Sequence, residues 1–199
     1  MTTRRSFLLA SLALPVSLSG CVSSALSPGA VDTFDLQPLQ RSGAGRAGSA
    51  RQLVVQEPTT LRLYDGERIV VRTRAGEASY LPGAQLIDRL PRLLQARIVQ
   101  SFENTRRVRA VARPGEGLDP DVVLLTDIRT FGLDASAGTV AEIDLSVRLV
   151  SGRNGRVIGS ELFSVRAPAA STEPRAVIAA LDGALSQVLT RLVDWAARR

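Results

Sequence analysis

The chain has 199 residues, of which 45% are hydrophobic, 22% charged and 4% aromatic, enough for one domain whose core is built from Leu, Val, Ile and Ala. One cysteine and no histidine exclude Ser-His-Asp and Cys-His catalysis and ordinary zinc centres, leaving carboxylate chemistry or none. The net charge of +6 comes entirely from arginines spread along the chain among acidic residues, and aromatics are too scarce for base stacking, so nucleic-acid binding is not expected. A weak attraction to an anionic membrane surface remains compatible with that charge.

Residues 1–20 read as a signal peptide. "MTTRR" is a cationic start, and "SFLLASLALPVSL" is an apolar stretch of secretory length, too short to anchor stably across a bilayer. Leu18-Ser19-Gly20-Cys21 resembles the lipobox of bacterial lipoproteins. There the leader is cut before the cysteine, here between Gly20 and Cys21, and the thiol is acylated, usually with the new N-terminus. Two or three acyl chains pass the roughly two-signal threshold for stable anchoring. The plainer reading is a structural cysteine inside a first helix, and a position immediately behind an apolar leader weighs against it. Thr3-Arg4-Arg5-Ser6-Phe7-Leu8 resembles a twin-arginine export motif carried by Arg4 and Arg5; a general secretory leader with two arginines fits equally. Val22 is not the aspartate that retains lipoproteins in the inner membrane of enteric-type bacteria. The expected address is therefore the periplasmic face of the outer membrane, ahead of inner-membrane retention.

Residues 21–33 are expected to form a flexible lipidated tether and residues 34–199 the folded domain. "TFDLQPL" alternates enough for a short first strand, and "RSGAGRAGSA" is too poor in apolar residues to pack. "RQLVVQEP" predicts a strand closed by Pro58, and "GERIVVRT" another after the Asp65-Gly66 turn. Leu90, Leu93, Leu94, Ile98 and Phe102 recur at helical spacing, predicting an amphipathic helix over 89–104 with Asp88 as N-cap and Pro91 in the first turn. "RRVRAVAR" reads as a strand before a Pro/Gly turn at 114–120, and "DVVLLTDIRTF" as the next. In "AEIDLSVRLV", Ile143, Leu145, Val147 and Leu149 alternate with Glu142, Asp144, Ser146 and Arg148, the pattern of an antiparallel sheet with one wet face. Asn154-Gly155 then marks a hairpin into "RVIGSELFSVRA". A last helix begins with Thr172 as N-cap and Pro174 near its first turn. Val177, Ile178, Leu181, Leu185, Val188, Leu192 and Trp195 form its apolar stripe. The order predicts an α+β fold: an antiparallel sheet with two main helices packed on one face.

Several polar groups invite a chemical reading and do not sustain it. Asp119, Asp121 and Asp127 lack the glycine and terminal Glu of a calcium loop, and Pro120 interrupts them. Glu142 and Asp144 share a strand face and could pair as acid and base, but no aromatic sugar platform accompanies them. Gly43, Gly45 and Gly48 have neither the preceding strand nor the following helix of a phosphate loop. Trp195 reads as helix–sheet packing. No catalytic residue, metal site or cofactor is expected beyond a covalent lipid on Cys21.

Taken together, "RQLVVQEPTTLRLYDGERIVVR", "YLPGAQLIDRLPRLLQARIVQSFENT", "VVLLTDIRTF" and "EIDLSVRLVSGRNGRVIGSELF" resemble the ABC-type transport auxiliary lipoproteins across about residues 34–196, in their alphaproteobacterial branch. Leu86 departs from that pattern, where a Trp is expected; both are apolar, so packing alone is affected. The resemblance implies a non-catalytic auxiliary component of an MCE-type ABC transporter that moves lipids between inner and outer membranes. Its implied partners are an MCE-domain periplasmic protein and the permease and ATPase in the inner membrane, with a homo-oligomer as one form of the docked state. Only Cys21 carries over as a defined functional residue. The alternative is a periplasmic carrier that itself holds an acyl chain between sheet and helices, and a carboxylate-dependent hydrolase is the third and least supported reading.

Overall fold

The computed structural model describes residues 31–40, 49–74, 76–136 and 138–199. The leader, Arg4, Arg5, the Gly20–Cys21 junction, most of the tether and the glycines Gly43, Gly45 and Gly48 lie outside them.

The described elements run β1 (Asp32–Phe34), β2 (Ser49–Val55), β3 (Thr59–Thr60), β4 (Arg68–Arg74), β5 (Glu77–Leu86), α1 (Leu90–Thr105), β6 (Val108–Ala112), β7 (Val122–Asp134), β8 (Val140–Ser151), β9 (Val157–Pro168) and α2 (Pro174–Ala197). All the strands join one sheet organised on β7, whose thirteen residues span about 43 Å. One edge of β7 pairs antiparallel with β8 along its full length, and β8 pairs antiparallel with β9. Along the other edge, β2, β3 and β4 lie end to end, each parallel to β7. Beyond them, β6 runs parallel to β2, β5 antiparallel to β4, and β1 parallel to β5.

The α+β class and the two helices stand as expected, and the sheet is mixed rather than antiparallel throughout. Alternation in "AEIDLSVRLV" reports that one face is buried, a condition that parallel and antiparallel strands satisfy alike. Strand direction is set by the connections: α1 lies in the crossover that returns the chain from β2 to its parallel neighbour β6.

Ile143, Leu145, Val147 and Leu149 of β8 are buried to 1% exposure or less, as their alternation predicts. On β7 the buried set is Val122, Leu124 and Ile128. A bulge between Ile128 and Thr130 then brings Phe131 and Leu133 opposite Ile143 and Ala141, so the strand keeps its apolar residues on the core side after Arg129. The apolar stripes of α1 and α2 join the same core, each full burial of a Leu or Ile contributing about 1.5–3 kcal/mol.

Several local expectations are corrected. The helix expected over 89–104 runs Leu90–Thr105, with Pro91 in its first turn, but its N-cap is Arg89 and no side chain caps it. Asp88 stands one residue earlier; its Oδ1 accepts the N–H of Arg89 and its carboxylate pairs with Arg92 at 3.2 Å. In α2 the N-cap is Glu173, not Thr172, and Ser171 Oγ accepts the Glu173 N–H. The stretch 77–86, for which the sequence reading names no strand, is strand β5. Pro82 and Gly83 read as strand breakers, and here they occupy an irregularity in which Arg68 and Val70 face Gln85 and Tyr80, with Gly83 at φ +69°.

Candidate functional site

The segment after β1 forms a strap, residues 35–40, stitched to both helices. Leu36 is fully buried at the start of it. Arg97, on α1 and itself buried, donates Nε–H to the Leu36 carbonyl and pairs through its NH2 group with Asp35. Its remaining NH1 group donates to Gln100 Oε1 at 2.7 Å. Further along, Ser101 Oγ accepts the Leu39 N–H at 3.0 Å and Asn104 Nδ2 donates to the Leu39 carbonyl at 2.8 Å. From the other side, Asp182 of α2 accepts the Gln37 N–H at 2.7 Å. Each backbone group of an irregular segment needs a partner once water is excluded, and these side chains supply them.

Beyond the strap's end lies a groove of about 610 Å³, lined by Leu39, Gln40, Thr105, Arg107, Ser186 and Val193 among others. Arg107 pairs with Asp194 at 2.9 Å, and its Nε is buried without a partner among the described residues. The sequence reading missed the strap–helix clamp. Its available signal was Arg97, a charged residue adjoining the apolar stripe at Leu94 and Ile98.

Carboxylates singled out in the sequence do not converge. Asp121 accepts the Gln52 N–H at 2.9 Å. Asp127, six residues further along β7 and so about 20 Å away, lies beside Thr59 and 3.9 Å from Arg129. Among the described residues no group of three or more Cys, Asp or Glu is placed to hold a metal. Glu142, expected on a wet face, is 8% exposed. It sits between Arg72 of β4 and Arg166 of β9, pairing with Arg72 and lying 3.1 Å from Arg166, while Asp134 joins the same arginines at 4.0 and 2.8 Å. Hydrogen bonds from the Ser136 hydroxyl and N–H hold the Asp134 carboxyl below the usual aspartate range, and the charge of Arg72 and a hydrogen bond from Arg166 add to that. This network ties four strands together and occupies Glu142 with two cations. Its neighbour Asp144 has a buried Oδ1 without a partner among the described residues. Trp195 packs edge-to-face on Phe163, with ring centroids 5.8 Å apart and planes at 79°. Leu86 is buried at 1% exposure, in keeping with a packing role.

The fold and the clamp define a class: a small α+β domain hung from an N-terminal strap, with one sheet face covered by two helices. More particularly, the model of the ABC-type transport auxiliary lipoprotein component family matches residues 34–193, and the chain belongs to that family. It is 32% identical over 166 residues to an uncharacterized protein of Bradyrhizobium diazoefficiens, covering 82% of this chain and 44% of that protein. The chain thus spans less than half the length of that relative. A solved protein of Xanthomonas campestris superposes with a TM-score of 0.77 at 31% identity, over 84% of this chain and 95% of its own. A second solved structure, of an uncharacterized protein, shares the fold at a TM-score of 0.65 and 14% identity, over 83% of this chain and 97% of its own. Membership places the chain among lipoprotein components that accompany ABC transporters, an auxiliary transport family rather than an enzyme family.

Proposed function

We propose that the chain is a lipoprotein held by acylated Cys21 at the periplasmic face of the outer membrane. There it serves as the non-catalytic auxiliary component of an MCE-type ABC transporter that moves lipids between the two membranes. The observation that carries this reading is family membership over residues 34–193, joined in the same chain to the Leu18–Cys21 lipobox. The clamp supports it mechanically, because Arg97, Ser101 and Asp182 tie the strap that follows β1 to both helices. The docked partner is an MCE-domain periplasmic protein, with the permease and ATPase beyond it, and the covalent lipid is the one attached group. An acyl carrier is the weaker reading. Leu94, Ile98, Phe102, Leu124 and Ile143 fill the layer between sheet and helices at 1% exposure or less, leaving an acyl chain no room there.

The test is crosslinking in intact envelopes followed by pull-down on the anchored protein. Recovery of an MCE-domain protein is expected, and its absence from crosslinked material sinks the partner assignment. In parallel, metabolic labelling with a palmitate analogue should mark the wild type and leave Cys21→Ala unmarked; equal labelling of both removes Cys21 as the anchor.

A further inference from the structure

The arginines without ion-pair partners are not evenly distributed over the fold. At the N-terminus of α1 and in the β4–β9 network arginines are neutralised locally, Arg72 and Arg166 by Asp134 and Glu142, Arg89 by Asp65 and Arg92 by Asp88. Arg62, Arg68, Arg74, Arg148, Arg175 and Arg191 are scattered singly, without an ion pair among the described residues. At the opposite end of β7, beside Val122, the ends of β2, β6, the β8–β9 turn and α2 come together. Gly152 N–H donates to the Asp121 carbonyl, Asp121 N–H donates to Gln52, and the Arg199 side chain lies against Gly159. This pole carries Arg51, Arg109, Arg153, Arg156, Arg198 and Arg199, all exposed. None of the six pairs with another described residue. The acids nearby are Asp119 and Asp121, and the carboxylate of Asp121 already accepts the Gln52 N–H. Asp194 is taken by Arg107. Two apolar side chains, Val157 at 56% and Ile158 at 39% exposure, project beside the arginines.

We infer that this arginine pole is a docking surface for an anionic phospholipid bilayer, with the guanidinium groups on lipid phosphates and Val157 and Ile158 at the headgroup boundary. The inference rests on the proposed acylation of Cys21. Three observations select a membrane as the occupant. The positive charge is spread over four element ends, with Arg51 and Arg153 on the rim of a shallow depression beside Ile158 and the other four arginines outside it, which suits a sheet of phosphates better than a single small anion. Exposed apolar residues adjoin it, as they do where proteins sit in a lipid interface. The tether also has the reach. Asp32 lies beside Ala84, and the register through Arg68 and Val70 puts that level near Gly132 of β7, about 30 Å from the pole. The ten residues from Val22 to Val31 extend to about 34 Å, so a lipid on Cys21 and the pole can engage the same bilayer. Each arginine near an anionic surface strengthens the contact about fivefold at moderate salt.

The test uses the full acylated lipoprotein in vesicles. Cys21 is the only cysteine, so Val157→Cys carries a polarity-sensitive fluorophore alone, and Thr172→Cys at the other end of the fold is the control. In vesicles of phosphatidylcholine with about 30% phosphatidylglycerol, the Val157→Cys label should shift to the blue and return at about 1 M salt, where the Debye length is about 3 Å. In pure phosphatidylcholine it should not shift, and the Thr172→Cys label should stay silent throughout. Adding Arg51→Gln, Arg153→Gln and Arg156→Gln should weaken the contact about a hundredfold. No shift on anionic vesicles, or an equal shift on neutral ones, overturns the proposal. So does a pole label that ignores anionic vesicles yet responds to a co-reconstituted MCE-domain protein, which would make the partner an acidic protein surface. If the wild type takes up the label, Cys21 is free and the anchor reading has failed along with the reach argument; a silent pole on an unlabelled wild type overturns the pole alone.

Discussion

Arg97 of α1 holds Asp35 of the strap in an ion pair in which the arginine side chain is 11% exposed and the aspartate 38%. The same guanidinium also serves the Leu36 carbonyl and Gln100. One buried cation therefore fixes the point at which the tether becomes part of the domain. An Arg97→Met change keeps the apolar bulk and strips the strap of its donors, leaving the Leu36 carbonyl unpaired in a buried setting. Equilibrium unfolding in urea should show a loss of about 2 kcal/mol, below the figure for a fully buried pair because Asp35 reaches water. Limited proteolysis should cut earlier on the N-terminal side of β2 than in the wild type. An unchanged unfolding midpoint and cleavage pattern would remove Arg97 from the clamp.

Asp134 supplies a pH dependence whose sign follows from its environment. Its carboxyl is held below the ordinary value of 3.8 by the hydroxyl and N–H of Ser136, then by Arg72 and Arg166. A depressed carboxylate contributes stability that is fully present above its unfolded-state pKa. That contribution is lost as pH falls below 3.8 toward the lower folded value. Ser136→Ala removes the largest side-chain cause. It should lower stability by about 1 kcal/mol at neutral pH, and the gap to wild type should narrow as pH falls through that window. Unfolding midpoints measured from pH 6 down to about pH 3 check this; a gap that widens on acidification contradicts the assignment.

Much of the fold could be read from residue patterns, and the misses share a cause. Strands β2, β4, β7, β8 and β9 and both helices follow from local periodicity, because each buries one face or stripe and the buried residues recur at a fixed interval. The missed β5 and β3 gain their strand state from pairing across long separations, as when Thr59 and Thr60 lie beside Asp127 and Ile128. No window around Pro82-Gly83 carries that information. The burial of Glu142 is also non-local, since Arg72 and Arg166 come from strands on either side of the β7–β8 pair. The clamp is harder still to read, because its partners Gln37 and Asp182 are 145 residues apart.

Leu86 tests how closely the core fits its present side chains. It ends β5 at 1% exposure, with its N–H on the Glu67 carbonyl at 2.7 Å, at a position where the resemblance leads one to expect tryptophan. If the surrounding core has adjusted to leucine, Leu86→Trp overfills it and costs about 1–3 kcal/mol. Thermal unfolding of the variant decides the matter: a rise in the midpoint would mean that the site retains unfilled space for the larger ring.

Two glycines separate close approach from mere flexibility. A Cβ at Gly132 would lie 2.2 Å from the carbonyl oxygen of Val70 and 3.1 Å from its carbonyl carbon. Those atoms are backbone of a paired strand and cannot rotate away, so Gly132→Ala must push β4 off β7, at the very register Val70–Gly132 that joins them. A loss of about 3 kcal/mol is expected, with the β4–β5 hairpin exchanging its amides first in hydrogen-exchange measurements because its hold on β7 is what fails. Gly183 lies in the interior of α2 with nothing within 4 Å of an added Cβ. There Gly183→Ala meets no atoms and removes backbone freedom from the unfolded chain, so it should stabilise by about 0.5–1 kcal/mol. The opposite signs of the two substitutions, read in one denaturation series, test the β4–β7 contact directly. A Gly132→Ala variant as stable as wild type would mean that the strands do not meet in this register.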